Sequence, residues 1–357
     1  MRSRRWLHGL LARARGRGEA PDGPDWPGGL ALESLLAGLG PAPDASAPRL
    51  DRLLGRQPLP LPLDPEEDTG QTGDGLVCQR VSFQTCAGLR TAAHLWRRQD
   101  LNGPAPVVLA IHGHGGNLVQ GKGKISQPHP DSPTYGYGRL LARRGFVVLA
   151  PDLPGFEESR LRPLPARVPW PRDMERLLFC SLLLHGSTLA GLCLFCLSRA
   201  VDYLSLRPDL ADLERLCVLG HSMGGSLAPL FMLYDQRARA GVAAAGLGTW
   251  QSLIAGQVVH NLAVYLPGLL AAGDLDQLLA GLAPRPLMVI AGERDPNFPL
   301  EGVRALARAL GQAYGAAGAP GALAVEVHPG GHPFETGQQE LAAQFLDRWL
   351  RAGAPEA

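Results

Sequence analysis

The stretch Leu219-Gly220-His221-Ser222-Met223-Gly224-Gly225-Ser226, LGHSMGGS, decides how the chain is read, because it sets Ser222 between Gly220 and Gly224. Alone the pattern is weak. With 45 glycines and fourteen serines in 357 residues, a G-x-S-x-G arises from composition roughly 0.2 times per chain. Its surroundings give it weight. RLCVLG (215–220) reads as a buried strand and the residues after Ser222 as an apolar helix. A sharp strand-to-helix turn holds a serine exposed, and small neighbours such as Gly220 and Gly224 permit the tight packing.

The same architecture extends outward in both directions. VCQRVSFQT and LRTAAHLWRR, from Val77 on, alternate around Cys86-Ala87-Gly88 and predict two strands joined by a turn. Continuous apolar runs at PVVLAI (106–111), FVVLAPD (146–152), AGVAAAG (240–246), PLMVIAG (286–292) and ALAVEVH (322–328) predict strands, several of them buried on both faces. Helices are expected at 137–144, 301–314 and 338–351, so strands alternate with helices. That order implies an α/β fold with a mostly parallel central sheet and helices on both faces. Catalytic groups in such sheets stand beyond the carboxyl ends of strands.

A serine hydroxyl needs a base and an orienting acid to become a nucleophile. Both appear after Ser222, acid first, each just past a strand. MVIAGERDPNFP places Asp295 three residues beyond one strand, and VEVHPGGHPFE places His332 beyond the next. His328 competes for the same role. It ends its strand and precedes Pro329, whereas Gly330 and Gly331 give His332 a backbone free to curl over the sheet edge, so His332 is the expected base. For the oxyanion, the backbone N–H of Met223 is one expected donor and that of His114, in IHGHGGN, the second, with Gly115 in reserve.

The rest of the composition bounds the function class. Six arginines (Arg2, Arg4, Arg5, Arg13, Arg15, Arg17) precede the first acid, Glu19, leaving 28 basic residues against 33 acidic in the remainder, which offers no basic surface for nucleic acid. The start superficially resembles a twin-arginine leader, but its apolar stretch is too short, and a basic flexible tail over 1–20 is expected. A Pro-rich extension with short helices should follow over 21–76, and a catalytic domain over 77–352. The cysteines, Cys193 and Cys196 included, read as reduced and buried, which suggests a cytoplasmic protein. Leu177 to Ser198 carries no charge and is long enough for a membrane span, but His185-Gly186-Ser187-Thr188 reads as a break between two shorter helices. Stable membrane insertion is therefore not expected. Gly116 to Lys122 partly matches a phosphate-binding loop, yet Gly123 stands where Mg²⁺ chemistry requires Ser or Thr, and no helix signal follows.

HGHGGN, PDLPGFEES, SRAVDYLSLRPDL, GHSMGG, LAPRPLMVIAGERDPNFP and GGHPFE occur in one order along residues 77–350, and LLGRQPLPLP (53–62) extends the likeness. Together they resemble the α/β-hydrolase superfamily, in particular its dienelactone hydrolase and acetyl xylan esterase-like branch. Ser222 stands where dienelactone hydrolases proper carry cysteine, which favours ordinary esters. CLFCLSRAVDYL is more apolar than that branch suggests, which leaves open a helix that faces a partner or a lipid-like surface, beside the reading of Leu177 to Ser198 as helices buried inside the fold. Pro229 should kink the helix after Ser222.

The resemblance implies a serine esterase without cofactor or metal: Ser222 attacks, His332 moves the proton, Asp295 holds the imidazole. Insertions at 155–186 and 249–283 would shape the substrate pocket, with Trp250 and Phe156 the first candidates and Trp170 and Tyr265 behind them. The expected partner is a small-molecule ester, and homo-oligomerisation stays open. Two other readings remain: a prolyl oligopeptidase-like peptidase, although the residues before 77 are too few for a β-propeller, and a non-catalytic binding protein on the same fold.

Overall fold

The structure, a computed structural model, describes residues 30–43, 49–116, 118–129, 132–161 and 171–351. The expected tail over 1–20 and the candidate Trp170 lie outside the described residues.

Among the described residues ten strands form one sheet: β1 (Glu66–Glu67), β2 (Gln71–Gly73), β3 (Leu76–Cys86), β4 (Leu89–Arg98), β5 (Ala105–Ile111), β6 (Val147–Pro151), β7 (Ala211–His221), β8 (Ala240–Ala244), β9 (Leu287–Gly292) and β10 (Leu323–His328). Their order is β1-β3-β4-β6-β5-β7-β8-β9-β10, with β2 also on β3. From β6 to β10 every pairing is parallel, while β1, β2, β3 and β4 pair antiparallel at one end. Glu66–Glu67 and Gln71–Gly73 are strands that the sequence did not signal. Both are exposed, and with no apolar face they have no hydrophobic period to read.

The continuous apolar runs divide between two cores. Val107, Leu109 and Ile111 of β5 face one, Val108 and Ala110 the other, and β6 and β7 repeat the alternation with Leu149 against Val148 and Val218 against Cys217. A strand buried on both sides thus keeps its period of two although its residues are all apolar. The first core lies under the helices Leu189–Ser205 and Met223–Tyr234, the second under Tyr137–Arg143 and Thr336–Arg351.

Leu177 to Ser198 divides where expected, between the helices Pro171–Leu184 and Leu189–Ser205, and no helix among the described residues is long and apolar enough to cross a membrane. Thr188 caps the second helix by accepting from the Gly191 N–H (2.9 Å) and donates to the Leu54 carbonyl (2.9 Å). Leu189 through Leu197 are all buried. The apolar character of CLFCLSRAVDYL therefore reflects burial against the sheet, as the buried-helix reading expected, and the outward-facing alternative is corrected. The preceding helix does expose Leu177, Leu183 and Leu184, and Cys180 with them, so not every cysteine is buried; all six are free. Residues Leu30, Leu35, Leu50, Leu53 and Leu54 pack into the first core ahead of the sheet. Pro229 is accommodated within the helix Met223–Tyr234, which continues through it.

Candidate active site

Parallel register brings the chemistry-bearing loops to one edge. Ile111 of β5 lies beside Gly220 of β7, His221 beside Ala244 of β8, and Gly292 of β9 beside His328 of β10. The chain leaves β5 toward β6 on one side and later returns to β7 on the other, so Ser222 stands at a point where strand order reverses, the usual place for a crevice in such sheets.

Ser222 occupies a strained turn, with φ 57° and ψ −118°, directly before the helix starting at Met223. The flanking glycines are required by space: a Cβ on Gly220 would lie 2.1 Å from the Gly224 carbonyl oxygen, and one on Gly224 2.1 Å from that of Ile111. Across this turn the His332 Nε2 is 2.9 Å from the Ser222 Oγ, and the His332 Nδ1 is 2.8 Å from the Asp295 Oδ2. The Asp295 Oδ1 accepts from the Asn297 N–H at 2.8 Å, which fixes the carboxylate, whose side chain is 1% exposed. His328 points elsewhere, its Nδ1 accepting from the Gly330 N–H at 3.2 Å.

A cavity of about 230 Å³ opens on Ser222 and His332 and is lined further by Gly113, Gly115, Lys124 and Tyr135. Met223 is the first residue of its helix, so its N–H has no partner within the helix. The β5 loop comes close: a Cβ on Gly113 would be 3.3 Å from that of Ser222. The His114 side chain turns away, its Nε2 3.1 Å from the Glu175 Oε2 and its Nδ1 accepting from the Gly116 N–H.

The two leading pocket candidates lie beside the cavity rather than on it. Phe156 is buried beneath the β5 loop, its ring edge-on to His112 (4.8 Å) and His114 (5.3 Å). Trp250 packs on Tyr265 (4.7 Å between ring centres) and lines a much smaller neighbouring space with His260 and Phe298. Asp274 holds that segment by accepting from the Trp250 and Gln251 N–H groups.

Three features escaped the sequence reading. His221 stands 2.9 Å through its Nε2 from the His332 carbonyl and so fixes the loop carrying that imidazole. Burial pushes His221 down to about 4, and His332 adds to the effect, so it is neutral at pH 7 and its ring N–H donates. Its only sequence signal was its place between Gly220 and Ser222. Lys124, on the short helix Gly123–Ser126, lines the cavity from a segment read as loop. Lys122 is 1% exposed, and its Nζ lies 2.8 Å from Asp152, 2.7 Å from Glu157 and 2.9 Å from Glu158. Burial would lower the Lys122 ammonium, but the three carboxylates hold it above its ordinary value. The Lys122 ammonium is thus engaged by carboxylates of the chain itself. The carboxylates, which by spacing could hold a cation, converge on its ammonium.

The chain has the α/β-hydrolase fold. Residues 106–262 match the alpha/beta hydrolase fold family and residues 197–352 the prolyl oligopeptidase family. A provisionally named hydrolase of Bacillus subtilis (strain 168), YtaP, is 27% identical over 305 residues, covering 85% of this chain and 98% of its own. Similar solved structures carry esterase names. Methylesterase BT1017 aligns with TM-score 0.59 at 21% identity over 89% of this chain, which spans only 60% of that protein's length. A glucuronoyl esterase from Solibacter usitatus aligns at 0.58 and 15% identity, covering 89% and 91% of the two chains. Acetyl xylan esterase 1 from Thermoanaerobacterium sp. aligns at 0.57 and 16% identity, covering 89% and 98%. The resemblance read from the sequence is thus borne out for the superfamily and its fold.

Proposed function

We propose that the protein hydrolyses carboxylic esters through an acyl-enzyme on Ser222. The observation that carries this reading is the continuous path from the Asp295 Oδ2 through the His332 imidazole to the Ser222 Oγ, with both distances in hydrogen-bond range and the serine open to a cavity. His332 takes the hydroxyl proton as the Ser222 Oγ bonds to the acyl carbon. Asp295 holds the imidazole in the tautomer that accepts at Nε2 and stabilises the imidazolium that forms. When the carbon–oxygen bond to the alcohol breaks, His332 returns the proton to the leaving alcohol. Water, deprotonated by the same imidazole, then releases the acid and regenerates Ser222. The carbonyl oxygen, negative in both tetrahedral intermediates, would be met by the N–H groups of Met223 and His114, with Gly115 adjacent. No step calls for a metal or an organic cofactor.

The esterase names among similar structures support this substrate class, and a cavity of about 230 Å³ fits a small acyl group better than a long chain. The match of residues 197–352 to the prolyl oligopeptidase family favours a second reading, a peptidase using the same residues. Assay of purified full-length protein on p-nitrophenyl esters of rising acyl length, beside aminoacyl anilides, separates them. Turnover of acetyl or propionyl esters with inert anilides is expected; turnover of anilides alone would replace the esterase reading by the peptidase one. Failure on both would point to binding without catalysis.

A further inference from the structure

Lys124 is 3% exposed and belongs to none of the roles assigned above. Its Nζ donates to the Gly113 carbonyl at 3.1 Å and to the His114 carbonyl at 2.7 Å, two successive peptide groups of the loop lying over Ser222. The Phe156 ring supports the ammonium, its centre 5.1 Å away. The cis peptide bond of the described chain is Ala283–Pro284, so both loop peptides are trans. In a planar trans peptide the carbonyl and the following N–H point in opposite directions. Drawing the Gly113 oxygen to Lys124 therefore turns the His114 N–H away from it, and drawing the His114 oxygen does the same for the Gly115 N–H. These are the two N–H groups of the loop considered for the oxyanion.

We infer that Lys124 is a positioning residue for the oxyanion site: by binding the outer carbonyls of the Gly113 and His114 peptides it fixes, and electrically strengthens, the N–H groups of His114 and Gly115 that face the reacting carbonyl oxygen. Hydrogen bonds with an ionised partner are about twice as strong as neutral ones, which suits a clamp on a glycine-rich loop. A cation on a carbonyl also draws electron density from the amide and makes its N–H a better donor, as in any chain of polarised hydrogen bonds. The ammonium keeps its charge near neutrality. Burial pulls it down to about 8, while the Glu157 and Asp152 carboxylates oppose the shift. Gly113 and Gly115 carry no side chain with which to hold their own peptides, and Gly115 has φ 60°.

The inference rests on the reading of Ser222 as nucleophile, and the experiment separates the two. Phosphonylation of full-length protein by a fluorophosphonate forms a bond from the Ser222 Oγ to phosphorus and releases fluoride, and the phosphoryl oxygen takes the oxyanion position whether or not esters are substrates. The labelling rate is measured for the parent protein, Lys124→Met and Lys124→Gln, with thermal midpoints recorded alongside, and kcat and KM are measured on the best ester. Losing the clamp should cost less than losing a donor outright, which is worth about 10²–10³ in rate. Lys124→Met should therefore label and turn over about 10- to 100-fold more slowly, with KM within about threefold, and Lys124→Gln, which keeps a neutral donor, should fall between. If Lys124→Met does not fold, Lys124→Gln decides by the same comparison. Labelling at the parent rate in a folded variant overturns the inference, as does a change confined to KM. A parent protein that labels at Ser222 but cleaves no ester removes the ester reading and leaves the clamp to be judged by the labelling rates. A parent protein that does not label at all removes both.

Discussion

Two clusters of buried charge stand at the carboxyl edge of the sheet and use similar materials for opposite ends. One joins Asp295, His332 and Ser222; the other joins Asp152, Glu157 and Glu158 to Lys122 and, through Glu158, to Arg80. In the second, every carboxylate meets a permanent cation, and Lys122 is sealed from solvent. In the first, the buried carboxylate meets an imidazole, a group that can gain and lose a proton, and the imidazole meets a hydroxyl at a cavity. Burial and charge are common to both. Access, and a titratable link between carboxylate and solvent, mark the site that can do chemistry.

The largest effect should come from breaking the open cluster. Ser222→Ala should lower kcat on the preferred ester by about 10⁶ with an unchanged circular dichroism spectrum, and His332→Ala should come close to it, because members of a triad act as a unit. Retention of more than a few per cent of parent activity in either verified variant would mean that the geometry is not used. The closed cluster should fail in another currency. Lys122→Met leaves buried carboxylates without their shared cation and should destabilise the fold by about 3–5 kcal/mol, read from urea unfolding. A variant of parental stability would show that the cluster is not held by its charges.

Acid provides a test that spans the molecule. Burial pushes His94 and His221 down to about 4 from the ordinary 6.5, with Lys122 adding to the effect at His94. Between those values the unfolded chain binds protons that the folded chain refuses, so stability should fall as pH drops from 6.5 toward 4, by up to about 3 kcal/mol for each histidine. Thermal midpoints that stay level across this window would contradict the neutral state assigned to His221. The smallest effect is expected at His328, whose ring bonds its own turn rather than Ser222. His328→Ala should lose roughly tenfold through disturbance of the His332 loop. Damage greater than that of His332→Ala would require the site to be redrawn around His328.

Much of the body was legible because buried strands are long apolar runs and because the loops that follow them carry unusual residues. The five strands from Ala105 to Gly292 all fall within a few residues of their sequence readings. What was not legible depends on partners distant in sequence. His221 has nothing in its neighbourhood to announce a bond to the carbonyl of His332, 111 positions away. Lys122 and Lys124 read alike as lysines in a loop, yet one meets carboxylates that follow β6 while the other meets carbonyls that follow β5. Phe156 and Trp250 are aromatic residues just past strand ends, where a pocket wall and a supporting layer look the same in sequence; packing set both beside the cavity.

The sequence by itself determined the alternation of strand and helix, the small residues without which the Ser222 turn could not close, and the order of serine, acid and histidine along the chain. Those are local properties, fixed by hydrophobic period and by which side chains a tight turn admits. Only the tertiary structure decided that Asp295, His332 and Ser222 meet within hydrogen-bond distance, that Lys122 is enclosed while Lys124 borders the cavity, and that the Gly113 and His114 carbonyls meet the Lys124 ammonium. The reason is the parallel sheet: its register aligns the ends of strands far apart in sequence, and residues beyond those ends become neighbours through a pairing that no single segment encodes.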